Sequence, residues 1–72
     1  MWSEKEFNDK LQEMLDDEPT YRDSPYNTYS WWDGFWYAVA HMNWINGAQY
    51  NLAMDKNWEL YQNKMSVSYP IN

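Results

Sequence analysis

Five aromatic side chains fall within the seven residues Trp31-Trp32-Asp33-Gly34-Phe35-Trp36-Tyr37, and no other stretch constrains the fold as much. Extended at helical spacing they form two neighbouring stripes. One is Trp31, Phe35, Ala38, Met42 and Ile45; the other is Trp32, Trp36, Val39 and Asn43. Together they cover more than half of a helix circumference, so such a helix is central to the fold or carries a contact surface outside it. The chain has 72 residues, a size at which a single core is marginal and disulfides, metals or partners commonly reinforce it. It has no cysteine, which excludes disulfides and thiolate metal sites, and its one histidine, His41, builds no histidine-rich site. What remains as stabilising material is 15 aromatic residues. Each ring buries about 150–250 Å², more in total than one small core can enclose. Some rings must therefore face outward. With Met42, Met54 and Met65 nearby, they have the composition of a protein interface.

The pattern predicts one all-α domain over residues 1–72, with two or three helices. Ser3 and Glu6 form a capping box, and Trp2 and Phe7 have the spacing of a hydrophobic staple. Phe7, Leu11, Met14 and Leu15 continue one apolar face, giving a helix over about 3–17. Residues 18–29 hold Pro19 and Pro25 among Asp, Ser, Asn and Thr, and read as a connecting loop. Ser30, with Asp33 three residues on, is the expected cap of a second helix over 30–46. Asn46-Gly47 reads as its end. A third helix over 48–65 would set Tyr50, Met54, Trp58, Tyr61 and Met65 against Asn51, Asp55, Glu59, Gln62 and Asn63. One glycine in a helix costs only about 1 kcal/mol relative to alanine, so a single helix over 30–65 is an alternative. The tail 66–72 reads as extended.

Charge divides the chain more sharply than its net value of −6 suggests. Residues 1–33 hold nine acids against Lys5, Lys10 and Arg22, whereas residues 34–72 are balanced. Glu6, Asp9, Glu13 and Asp16 recur at three- and four-residue steps and so line one face of the first helix. Asp17 and Glu18 extend the row to a helix C-terminus, where the dipole disfavours negative charge. Asp23 follows in the loop. An acidic solvated face is one explanation. The other is an acidic surface that docks on a basic site.

Several functions lack their chemistry. No P-loop, GxGxxG, GxSxG or HExxH motif is present, and Asp17–Asp23 lacks the spacing of a calcium loop. We therefore expect no catalytic residues, no metal, no cofactor and no enzymatic activity. The acidic balance argues against direct binding of nucleic acid or an anionic membrane. Stacking platforms for single-stranded nucleic acid pair rings with a basic groove, and the second half offers only Lys56 and Lys64. Met1-Trp2-Ser3-Glu4-Lys5-Glu6 lacks the basic and apolar regions of a signal peptide. A cytoplasmic location is expected.

The expected partner is a larger protein with a basic, nucleic-acid-binding surface. Glu6, Asp9, Glu13, Asp16, Asp17, Glu18 and Asp23 would supply the charge, and Trp31, Trp32, Trp36 and Trp44 the apolar anchors. In size and composition, with no aligned residues, the chain is similar to the small acidic proteins with which phages and mobile elements oppose host enzymes, the anti-CRISPR, anti-restriction and DNA-mimic inhibitors. That resemblance implies an inhibitor acting in the cytoplasm of a host cell. The alternative is a structural or adaptor subunit that assembles through its aromatic helix face, for instance as a homodimer.

Overall fold

The computed structural model of the protein describes residues 1–68, and side chains through residue 63. Its elements are α1 (Glu4–Leu15), α2 (Glu18–Asp23), α3 (Pro25–His41) and α4 (Gly47–Ser68). There is no strand among the described residues, so the domain is all-α, with three long helices and one short one.

α1 starts as its sequence predicts. The Ser3 N–H donates to the Glu6 carboxylate at 2.7 Å, and the Glu6 N–H donates to Ser3 Oγ at 3.1 Å. Two helix-end donors are thereby satisfied reciprocally. Trp2 reaches further than a local staple. Its N–H donates to the Trp44 carbonyl at 2.8 Å, and its ring packs on Phe35 and Trp44. The N-terminus is thus tied to the corner between α3 and α4.

The loop expected over 18–29 is instead helical on both sides of Ser24. Pro19 and Pro25 sit in the first turns of α2 and α3, where the missing N–H has no helical partner to lose and the fixed φ suits the helix. Proline ends a helix that reaches it and begins one that follows. α3 consequently starts at Pro25, and Ser30 lies inside it rather than capping it. Thr28 Oγ1 donates to the Thr20 carbonyl at 3.1 Å and stitches α2 to α3.

The second expected break is also moved. α3 ends at His41, and Asn43 takes a positive φ of 63°. The Asn43 N–H donates to the Ala40 carbonyl at 3.0 Å and the Trp44 N–H to the Val39 carbonyl at 2.9 Å. These are the paired bonds of a Schellman motif, with asparagine in the left-handed position usually held by glycine. Gly47 is the first residue of α4, not the end of α3. Asn46 and Gln49 exchange side-chain bonds to each other's N–H at 2.9 and 2.8 Å, capping the new helix. A continuous helix over 30–65 is thereby excluded. α4 continues to Ser68, so the expected tail is helical over 66–68, and residues 69–72 lie outside the described residues.

Tyr29, early in α3, packs on Trp58 and Tyr61, late in α4. The two helices therefore run antiparallel, and α1 and α2 close over them. The core contains Phe7, Met14, Tyr21, Trp32, Trp36, Val39, Ile45 and Ala53. Of the two α3 stripes, the one through Trp32, Trp36 and Val39 is buried. Trp36 has no exposed surface; its Nε1–H donates to Met14 Sδ at 3.2 Å, and Phe7 meets its ring edge-on. In α4 the buried line passes through Ala53 and Asn57, while Trp58 is exposed. Asn57 is enclosed completely. Its Oδ1 accepts from the Tyr21 hydroxyl, and its Nδ2 donates to the Tyr29 carbonyl at 3.0 Å.

Candidate partner-binding surface

The core side of α1 is set by Phe7, Leu11 and Met14, which places Glu6, Asp9, Glu13 and Asp16 on the opposite, solvent side; all four are exposed. Their local contacts are weak ones. Lys5 pairs with Asp9 at 2.7 Å, Lys10 with Glu13 at 3.1 Å, and Gln12 donates to Asp16 at 2.9 Å. The hydrogen bond and charge of Asp9 hold the Lys5 ammonium above its ordinary pKa. Exposed pairs of this kind are weak because solvent screens them, so an incoming cation can displace them.

Asp17 and Glu18 do not simply prolong this row. Asp17 is the cap residue of α2 and Glu18 lies in its first turn, where the dipole favours negative charge. Glu18 is also paired with Arg22 at 2.8 Å, and Asp17 accepts the Trp32 Nε1–H at 3.0 Å. Both are half-buried. Asp16, at the C-terminal cap of α1, occupies the unfavourable end of a dipole, and the last turn of α1 has no basic residue. Asp23 is exposed at the far end of α2.

The aromatic set divides. Trp32 and Trp36, expected as surface anchors, belong to the core, because the stripe facing α1 and α4 is theirs. Enclosed rings cannot touch a partner. Trp31 is 62% exposed and Trp44 is 40% exposed, so these two remain available. Sequence reasoning missed Trp2 and Phe35 as members of the same surface. Ring contacts run from Trp44 to Trp2 (6.0 Å), from Trp2 to Phe35 (6.3 Å) and from Phe35 to Trp31 (5.7 Å, nearly parallel). No spacing rule could show this line, since Trp2 joins it from the opposite end of the chain.

This aromatic line runs beside the carboxylates of α1, and two grooves mark where they meet. One, of about 310 Å³, is walled by Trp2, Glu6, Asp9, Lys10 and Glu13. The other, of about 600 Å³, lies between α1, α2 and α3, with Glu13, Asp17, Thr20, Asn27 and Trp31 in its walls. Lys10 stands between them, its Nζ 5.8 Å from the Phe35 ring centre and 3.1 Å from Glu13. The charge and the exposed rings, separate in sequence, share one surface.

A second exposed aromatic area occupies the outer face of α3, where Tyr26 and Tyr37 protrude and Tyr37 stacks on His41 at 6.0 Å. Among the described residues, no three His, Cys, Asp or Glu side chains gather to hold a metal ion, and no helix is long and apolar enough to cross a membrane. Burial, with a smaller contribution from Asp17, pushes the Tyr21 phenol well above its ordinary pKa. It is therefore held as a neutral donor to Asn57. Compared with family models, with curated proteins and with solved structures, the chain matches none.

Proposed function

We propose that this protein is a non-enzymatic inhibitor that binds a larger protein and occupies its basic, nucleic-acid-binding surface. The observation that carries this proposal is the exposed carboxylate row of α1 lying beside the exposed ring of Trp31 and the half-buried ring of Trp2. At about 1.5 Å rise per residue, carboxylates three and four residues apart repeat every ~4.5–6 Å. A nucleic acid strand presents one phosphate per about 3.4 Å. A basic groove built for the latter therefore attracts the former. Opposite potentials steer the encounter, and burial of Trp rings slows dissociation. Blocking a groove requires no catalytic group and no cofactor.

Tagged protein incubated with cell lysate at low and high salt tests this. Captured proteins should be nucleic-acid binders, should be released as ionic strength rises, and should be displaced by added duplex DNA or RNA. Capture that is indifferent to both salt and nucleic acid overturns the proposal. The exposed Tyr26 and Tyr37 favour a second reading, an adaptor that assembles through the outer face of α3. That reading requires a concentration-dependent oligomer in light scattering, weakened by Tyr37→Ala; a monomer at high concentration removes it.

A further inference from the structure

We infer that the groove between α1, α2 and α3 is a seat for an arginine side chain of the protein partner. This rests on the acidic-face proposal above and gives it one specific contact. The wall of the seat is the Trp31 indole, 62% exposed yet held on two sides. Phe35 stacks parallel to it within 5°, and Trp32 meets it edge-on at 4.9 Å. An exposed ring fixed in this way is ordered before any ligand arrives, which lowers the entropy cost of binding. Two carboxylates share the groove. Glu13 is exposed, and Asp17 is held in place by the Trp32 Nε1–H on one oxygen. Thr20 and Asn27 add neutral acceptors to the same walls.

Lys10 shows what this surface does with a cation. Its ammonium sits between a carboxylate, Glu13, and an aromatic face, Phe35. The neighbouring groove repeats the combination with Glu13, Asp17 and Trp31, and its volume of about 600 Å³ exceeds what one side chain occupies. Charge complementarity requires a positive occupant. Arginine fits better than lysine because a planar guanidinium stacks on an indole while its edge donors reach carboxylate and amide oxygens together. An ammonium is a strongly hydrated point charge and cannot do both in one plane. Seating an arginine requires Glu13 to loosen its exposed contact with Lys10, a small cost.

The test uses the full chain, labelled with ¹⁵N, and follows the indole and backbone N–H signals at low salt. The probes are capped hexa-arginine and capped hexa-lysine peptides. Hexa-arginine should shift the Trp31 indole most, saturably, and bind several-fold tighter than hexa-lysine. Trp31→Ala and Glu13→Gln should each weaken it roughly three- to tenfold, while Tyr37→Ala, on the outer face of α3, should leave it unchanged. Amide dispersion in each variant verifies the fold, and Glu13→Gln, a neutral exposed substitution, keeps the test valid if Trp31→Ala is disordered. Equal binding of both peptides, with shifts spread along Glu6 to Asp16 and no effect of Trp31→Ala, overturns the seat but leaves the acidic-face proposal standing. No binding of either peptide overturns both.

Discussion

The Tyr21–Asn57 pair shows how much of this core depends on single polar atoms. Both residues have no exposed surface, and the tyrosine hydroxyl donates to the amide oxygen across 36 residues of sequence. Tyr21→Phe keeps the ring but leaves that oxygen buried without its donor, which should cost about 1–3 kcal/mol. Asn57→Leu should cost a similar amount, because it abandons the Tyr21 hydroxyl and the Tyr29 carbonyl together. The double variant, which removes both polar partners, should be less destabilised than the sum of the two single changes. Urea unfolding of the four proteins measures the coupling; strictly additive losses would mean that the contact contributes nothing of its own. The pair was illegible in the sequence for a physical reason. An asparagine in a helix counts as polar in any periodicity, and only a distant donor makes its burial tolerable. Trp31 and Trp32 pose the same difficulty. Adjacent on one helix, they differ by about 100° in direction, and composition cannot say which of them meets α1.

At the level of elements, what was legible was chemistry contained within one turn. The Ser3–Glu6 box satisfies donors that lie three residues apart, so its partners are adjacent in sequence and α1 starts where expected. Boundaries set by the whole chain were displaced. Pro19 and Pro25 have the same composition whether they end a helix or open one, and the bundle decides by giving each a following helix to start. The corner at Asn43 was likewise misplaced, since Gly47 carries the stronger local signal while the left-handed residue is an asparagine. This assignment makes a direct prediction. Asn43→Gly should leave stability unchanged or raise it slightly, because glycine takes positive φ at no steric cost. Asn43→Val should lose about 1–2 kcal/mol, since a β-branched side chain is strained there. Thermal unfolding followed by circular dichroism compares the two. Equal tolerance of glycine and valine would show that α3 does not end in a Schellman corner.

For the molecule as a whole, the location of the charge matters more than its total. The described cations Lys5, Lys10, Arg22 and Lys56 each pair with a carboxylate on their own helix. The carboxylates of Glu6, Asp9, Glu13 and Asp16 stand together on the exposed outer side of α1. Folding accounts for Glu6, which closes the capping box, but not equally for every carboxylate of the row. Asp16 is the clearest case. It caps the C-terminus of α1, accepts one exposed bond from Gln12, and lies at the end of the dipole that repels it. Asp16→Lys reverses that repulsion and lowers the self-repulsion of the acidic face, so it should stabilise the fold by about 0.3–1 kcal/mol in urea unfolding. The same change puts a positive charge in the carboxylate row beside the grooves. If the row exists for a basic partner, capture should fall in the variant that folds better, and the loss should shrink as salt screens the charges. Stability and binding would then move in opposite directions from one substitution. A stabilised variant that captures its partner undiminished would show instead that the row is only a solvated face. A variant that is destabilised would mean that Gln12 and its neighbours need the carboxylate more than the helix dipole opposes it.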